Sequence, residues 1–199
     1  MKKTIQAVFV LVIFLTFNSH IMAQKGFEIE KEITIQVSAA QLWEMVGPGF
    51  VEVYKWASSV DHAEGQGNSE FKGAVCDERF CDVNAKGFSK VSEKLTKYNE
   101  EEMNLAYAVL EGMPGFVTKA VNDWTVVPVG TNQSKLVMKA EFASKGLMGS
   151  LTRGMMQKKM ETLLETVLND AKVYAETGKV STAKQARIDE LAKKNKHAA

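Results

Sequence analysis

The sequence predicts an α+β domain in which an antiparallel sheet of about six strands packs against one long C-terminal helix. Three observations lead to this prediction. Polar and apolar residues alternate along residues 27–37, and strand-like segments separated by turn residues follow one another over residues 71–142. After Gly146 the apolar residues instead recur every three or four positions, which is the spacing of a helix.

The first strand and two short helices are predicted in order from the N-terminal side. Residues 27–37, FEIEKEITIQV, place apolar side chains at one parity and mostly glutamates at the other, as in a half-buried strand. Ser38 and Gln41 have the spacing of a capping box, which predicts a short helix that ends at Gly47-Pro48. Residues 50–57 are predicted to form a second short helical turn.

A loop around residues 65–68 is expected to lead into successive antiparallel strands. Turn residues separate five candidate strands at intervals that suit a meander. The candidates cover residues 71–83, 88–98, 103–110, 117–127 and 135–142.

The long helix is predicted over Leu147–Thr177, ending at Gly178, a residue suited to the left-handed position after a helix. Residues 179–199 carry six basic side chains around few apolar ones, which favours a solvated helical extension or a disordered tail over a binding arm. The predicted domain is therefore residues 24–178, with 179–199 as a charged tail.

The N-terminal residues have the pattern of a secretory signal peptide. A basic start, Met1-Lys2-Lys3, precedes an apolar run over residues 7–15 and a small residue at Ala23. The run is too short to span a bilayer, which needs about 20 apolar residues. We therefore predict a signal peptide over residues 1–23, cleavage near Ala23, a periplasmic or secreted protein, and no integral membrane segment in the mature chain.

Composition and motifs exclude several classes of function. The formal charge is +1, with 25 basic and 24 acidic residues interspersed, which argues against a nucleic-acid partner. No P-loop, GxGxxG, HExxH or CxxC motif occurs, and the three histidines have no metal-ligand spacing. We expect no cofactor and no metal site, and we assign no catalytic residue. His62 is expected in a solvated loop, with a position at a cavity mouth as the alternative.

The order of elements and several residue stretches together resemble one family. The chain is similar to the START-like helix-grip superfamily, specifically its SRPBCC branch of polyketide cyclases, dehydrases and lipid-transport proteins. The resemblance covers most of residues 28–177 and implies a curved sheet that grips the C-terminal helix around an apolar cavity. The matching stretches are ITIQVSAAQLWEMVGPGFVEVYKWASSV at 33–60, Gly73-Ala74-Val75, VSEKL at 91–95, LAYAVLEGMP at 105–114 and VNDWTVVPVG at 121–130.

Within that resemblance, eight residues are predicted to line a ligand cavity. Methionine adapts to irregular apolar guests, and the aromatic side chains would complete the wall. For each of them ordinary core packing is the alternative. The predicted set is Trp56, Glu93, Tyr107, Trp124, Met138, Met155, Met156 and Met160.

Glu93 and Tyr107 are the candidate polar groups of this cavity. Glu93 shares the parity of Val91 and Leu95, so it is expected to face inward and either orient a ligand or act as a general acid or base. Alternatively it pairs with a strand neighbour such as Arg79, or faces solvent. Tyr107 is expected inward, with a hydroxyl that needs a partner.

Cys76 and Cys81 lie five residues apart, and an exported protein can form disulfides. Along a continuous strand five steps cover about 16 Å, whereas a disulfide needs Cα atoms within about 7 Å. A tight loop over Asp77–Phe80 would permit the bond, so both states remain open.

Three functional hypotheses follow. The first is a binding protein for a small hydrophobic or amphipathic, lipid-like ligand. The second is a cyclase- or dehydratase-type enzyme that uses the same cavity. The third is an interaction protein with a vestigial cavity and a basic tail. The sequence makes no prediction of oligomeric state.

Overall fold

The computed structural model describes residues 25–85 and 88–198. These residues contain seven antiparallel strands and three α-helices, joined by turns and loops. The strands are β1 (Lys25–Ile35), β2 (Val60–Gln66), β3 (Glu78–Ala85), β4 (Phe88–Asn99), β5 (Asn104–Glu111), β6 (Val117–Gly130) and β7 (Gln133–Ser144). The helices are α1 (Ala39–Val46), α2 (Gly146–Thr177) and α3 (Thr182–Ala198), and a 3₁₀ turn covers Phe50–Lys55.

The strand order is β1-β7-β6-β5-β4-β3-β2, so the first strand pairs with the last one and forms one edge of the sheet. The register sets Phe27 opposite Phe142, and their rings stack with centroids 5.4 Å apart. Ile29 and Ile35 are buried, as the alternating pattern predicts. The helix-grip prediction is confirmed, with one strand more than expected.

The short helix α1 begins where the capping box predicts. The backbone N–H of Gln41 donates to the Ser38 hydroxyl at 3.3 Å, and the Ser38 N–H donates to the Gln41 side chain at 3.3 Å. Leu42, Trp43 and Val46 are buried. The helix therefore covers the sheet with its apolar face.

The prediction around residues 60–77 is wrong in two places. Val60–Gln66 forms the edge strand β2, where a loop was expected, and residues 67–77 form neither helix nor strand. An edge strand buries little, and in β2 only Val60 and Ala63 are buried, so no clear alternation was visible. The strand predicted from Phe71 begins only at Glu78.

The long helix α2 is confirmed, starting one residue earlier than predicted. It ends at Gly178, which has φ 67° and whose N–H donates to the Tyr174 carbonyl at 2.8 Å. Its C-terminal half packs on the sheet through Leu164, Val167 and Ala171.

Beyond Gly178 the chain forms α3, which is held against β2 by specific contacts. Lys184 is buried and donates to the Val60 carbonyl at 2.7 Å. Arg187 donates to both carboxylate oxygens of Asp61, at 2.8 and 2.5 Å. Nothing in the basic pattern of residues 179–199 indicates these partners.

The predicted signal peptide, residues 1–23, lies outside the described residues. Within the described ranges no helix has an apolar stretch long enough to cross a membrane.

Candidate functional site

A cavity of about 140 Å³ lies between the sheet and the middle of α2. The 3₁₀ turn, strands β2 to β7 and one face of α2 all contribute to its wall. Most of this wall is apolar. The aliphatic and aromatic part includes Val53, Val91, Val109, Phe142, Leu164 and Val167.

A buried ion pair forms part of the cavity wall. Arg79 on β3 lies directly opposite Glu93 on β4 in the strand register. Its Nε and Nη2 donate to Glu93 Oε2 at 2.8 and 2.6 Å, and the two residues are only 2% and 8% exposed. The Cys81 thiol donates to the same oxygen, with the sulfur 3.6 Å away. These three hydrogen bonds all end on Oε2.

Besides Glu93, the guanidinium of Arg79 contacts two aromatic rings and donates a hydrogen bond to a backbone carbonyl. It lies 3.8 Å from the centroid of the Phe50 ring and 5.2 Å from that of Tyr107. Its Nη1 donates to the Phe50 carbonyl. A buried charge is tolerated only when it is paired and hydrogen-bonded, and this arrangement meets both requirements.

Burial keeps the other titratable groups of the site protonated. It raises the pKa of the Tyr107 hydroxyl well above the ordinary value, and the negative charge of Glu93 acts in the same direction. Burial also raises the pKa of the Cys81 thiol to about 12. At neutral pH Tyr107 is therefore a hydrogen-bond donor, and Cys81 is not a thiolate nucleophile.

Two tryptophans have buried indole N–H groups without a partner. Trp56 and Trp124 lie with ring centroids 6.2 Å apart, and in the described part of the chain neither Nε1 has a hydrogen-bond acceptor. Trp124 lines the cavity and also contacts Tyr107, at 5.9 Å between centroids. A buried donor without an acceptor costs free energy. Of the two residues, Trp124 lines the cavity and Trp56 does not.

Five of the eight predicted cavity residues lie together around the cavity. The inward parity of Glu93 and Tyr107 places both on this wall, and the alternative partner of Glu93, Arg79, is the one it binds. The five are Glu93, Tyr107, Trp124, Met138 and Met160.

The other three predicted residues do not line the cavity. Trp56 is 2% exposed and packs behind Trp124. The cavity meets α2 from Met160 to Val167, so Met156 lies one turn too early and packs against the edge of the core. Met155 points about 100° away from Met156 around the helix, and it is 55% exposed.

Sequence reasoning missed Arg79, Asn122 and Met113 as lining residues. Asn122 lies opposite Tyr107 and has the parity of the inward-facing Trp124, so this alternation could have identified it. Met113 comes from the turn between β5 and β6, for which periodicity carries no signal.

In the part of the chain that the structure describes, neither the two cysteines nor His62 belongs to a group of side chains that could hold a metal ion. Cys76 and Cys81 are both free and buried, and Cys76 precedes β3, so the assumed continuous strand does not exist. His62 is on β2 rather than in a loop, exposed and 3.1 Å from the Glu64 carboxylate. Within the described ranges no three His, Cys, Asp or Glu side chains are grouped to hold a metal ion.

Solved structures with the same fold include two enzymes of known chemistry. The Zhui aromatase/cyclase from Streptomyces sp. R1128 superposes with a TM-score of 0.62 at 14% identity, covering 79% of this chain and 100% of that one. Norcoclaurine synthase from Thalictrum flavum, in complex with dopamine and hydroxybenzaldehyde, gives a TM-score of 0.56 at 16% identity, covering 84% and 94%. At these identities the likeness concerns the fold alone.

At the level of sequence, no curated protein matches the chain significantly. A family model described as polyketide cyclase/dehydrase and lipid transport, in contrast, matches residues 26–176, which include nearly all of the sheet and of α2. The chain therefore belongs to the polyketide cyclase/dehydrase and lipid transport family.

Proposed function

We propose that the protein binds a small hydrophobic molecule with one hydrogen-bonding group in the cavity between the sheet and α2. The observation that carries the proposal is the distribution of polarity around the cavity. Its wall is mostly aliphatic and aromatic, while Arg79, Glu93, Tyr107 and the indole of Trp124 supply a few polar groups. Ligand sites typically combine an apolar wall with a small number of placed polar groups.

The volume limits the size of the guest. Drug-sized ligands occupy cavities of about 300 to 1,000 Å³, whereas an apolar cavity of about 150 Å³ admits benzene. With about 140 Å³, the cavity accommodates a single ring without rearrangement. A lipid-like chain would require Met160 and Leu163 to swing out or α2 to move from the sheet.

The polar groups favour a ligand with an oxygen atom. The Trp124 N–H lacks an acceptor, and the protonated Tyr107 hydroxyl is a further donor. A phenol, aldehyde or ketone oxygen would accept from either donor, and a ligand hydroxyl would donate to the Glu93 carboxylate. Norcoclaurine synthase, which has the same fold, was crystallised with two single-ring molecules of this kind.

A pair of adjacent substitutions tests the proposal. Val109→Phe on β5 places a ring inside the cavity, whereas Leu110→Phe adds the same ring to a side chain that is 53% exposed. Calorimetric titration with phenol, hydroxybenzaldehyde, toluene and palmitate should give binding of phenol and hydroxybenzaldehyde, and weaker binding of toluene, to the wild type and to Leu110→Phe. Val109→Phe should bind none of the three. Binding that Val109→Phe leaves unchanged, or no binding across this panel, would refute the proposal.

An enzyme of the cyclase or dehydratase kind is the second candidate function. It is favoured by the convergence of Tyr107, as a protonated acid, with the Glu93 carboxylate on one cavity wall. In this case Tyr107→Phe or Glu93→Gln would abolish turnover of a hydrophobic carbonyl substrate while the far-UV circular dichroism spectrum stays unchanged. A ligand recovered chemically unaltered after prolonged incubation would favour the binding function.

Export is part of the proposal and is supported by the pattern of residues 1–23. Mass spectrometry of the protein purified from its own host should show a chain that begins close to Gln24. A chain that retains its first 23 residues would contradict export by cleavage.

A further inference from the structure

An exposed apolar stripe covers the solvent side of the N-terminal half of α2. It consists of Leu147, Met148, Leu151 and Met155, which are between 55% and 73% exposed. At 3.6 residues per turn they fall within an arc of about 100°, on the side of α2 opposite Leu164, Val167 and Ala171. The apolar residues that pack on the sheet lie in the C-terminal half of α2, whereas the stripe lies in its N-terminal half and is uncovered. Such a surface marks an interaction site.

The charged residues that lie nearest to this α2 stripe along the helix are positive. Residues 145–160 contain Lys145, Arg153, Lys158 and Lys159 and no aspartate or glutamate. The ion pairs of α2 lie further along the helix, with Lys31–Glu165 first, so within the described ranges these four cations have no ion-pair partner. Lys158 and Lys159 lie on the same side as the stripe, one turn further on. Glu161 and Glu165 follow on the same side of α2, and Glu165 pairs with Lys31. The cations next to the stripe favour an occupant that combines an apolar interior with negative charge at its surface.

The α2 stripe continues onto the turn between β5 and β6. Gly115 and Phe116, in the turn between β5 and β6, form an apolar groove with Leu147 and Met148. The same turn contributes Met113 to the cavity wall. On α2 itself, Leu163 both lines the cavity and is 37% exposed. A partner seated on the stripe would therefore lie close to residues that line the cavity.

From these observations we infer that the α2 stripe docks onto an anionic lipid surface, with the apolar side chains in the acyl region and Lys158 and Lys159 at the headgroups. Apolar side chains bordered by cations, with no intervening acid, are what an interfacial helix presents to anionic lipid. A second copy of the chain fits less well, because a two-fold contact through this surface would bring its cations against one another. The inference depends on exposed residues alone, so it stands or falls independently of the proposed ligand.

Flotation of the full chain with vesicles tests the inference. Binding is expected to vesicles of phosphatidylcholine mixed with phosphatidylglycerol, to be weaker on phosphatidylcholine alone, and to decrease with added salt. The double variant Leu147→Ser/Leu151→Ser should lower partitioning by about tenfold or more. Lys158→Gln/Lys159→Gln should lower it by about tenfold on the anionic vesicles only. Val129→Ser, which changes an apolar side chain that is 52% exposed at the end of β6, is the matched control and should have no effect.

Three outcomes would overturn the inference. The first is no binding to either vesicle. The second is anionic binding that the stripe variants leave unchanged, which would assign the membrane contact to another segment such as residues 1–23. The third is a dimer in light scattering that Leu151→Ser dissociates, which would assign the stripe to self-association.

Discussion

Asp170 on α2 accepts two hydrogen bonds from Ser58, one from its backbone N–H and one from its hydroxyl, each at 2.7 Å. Its other oxygen accepts from the Ser181 hydroxyl, just before α3. Asp170 is 1% exposed. One buried carboxylate therefore joins the two C-terminal helices to the segment that follows the 3₁₀ turn. Ala57 and Ser59, on either side of Ser58, line the cavity, so this joint positions one end of the site.

Replacing Asp170 should be strongly destabilising. Asp170→Ala removes hydrogen bonds to a charged group and leaves buried Ser58 donors unsatisfied, so we expect a loss of about 3 kcal/mol in the free energy of unfolding. Urea unfolding followed by tryptophan fluorescence measures it. Asn169→Ala, at the exposed neighbouring position, should change stability by less than about 0.5 kcal/mol. Equal effects of the two variants would contradict this role for Asp170.

The pair Arg79 and Glu93 should behave differently when one or both partners are replaced. Glu93→Leu leaves a buried guanidinium without its anion, and we expect a loss of about 3 to 5 kcal/mol. The double variant Arg79→Met/Glu93→Leu removes both charges and should regain most of that loss, because apolar replacements of buried ion pairs are often neutral. Urea unfolding of the two single variants and the double variant tests this. Additive losses would show that the ion pair does not account for the cost.

The sequence was informative where local patterns decide structure. Ser38 with Gln41 and the apolar spacing of α2 depend on neighbours a few residues away, and both helices occur as predicted. β2 was missed because an edge strand needs no alternation. The contact of Arg187 with Asp61 joins residues 126 positions apart, and no local pattern encodes it.

In the candidate site, too, the sequence was informative only where a local pattern decides which way a side chain points. Parity along β4 and β5 correctly placed Glu93 and Tyr107 inward, since a strand alternates its faces at every residue. Where along α2 the cavity lies depends on which turn of the helix meets the sheet. Periodicity alone therefore could not separate Met160, which lines the cavity, from Met156, one turn before it.

Stability should decrease at alkaline pH because of Cys81. Burial raises the pKa of its thiol from 9.0 to about 12. The native state thus binds this proton more tightly than the unfolded state does, so the contribution is complete below about pH 9 and is lost as the pH rises toward 12. Urea midpoints from pH 8 to 10.5 should fall more steeply for the wild type than for Cys81→Ala. Parallel profiles would contradict the predicted shift.

Trp124→Phe should weaken the binding of an oxygen-bearing ligand while changing stability little. Trp124→Phe removes a buried N–H that has no acceptor, which relieves about 1 to 3 kcal/mol and offsets the loss of packing, so the net change in stability should be small. A ligand oxygen that accepts from this N–H would lose its donor. Affinity for phenol should therefore fall about tenfold, while affinity for toluene, which has no oxygen, should stay nearly the same.

Trp56 supplies the control for this prediction, because its N–H is equally unpartnered but its ring lies behind Trp124, away from the cavity. Trp56→Phe should match Trp124→Phe in stability and leave the affinity for phenol unchanged. Calorimetric titration of both ligands against the two variants makes the comparison. If both variants weaken phenol and toluene equally, the tryptophans shape the cavity only by packing, and the unpartnered donor of Trp124 plays no part in recognition.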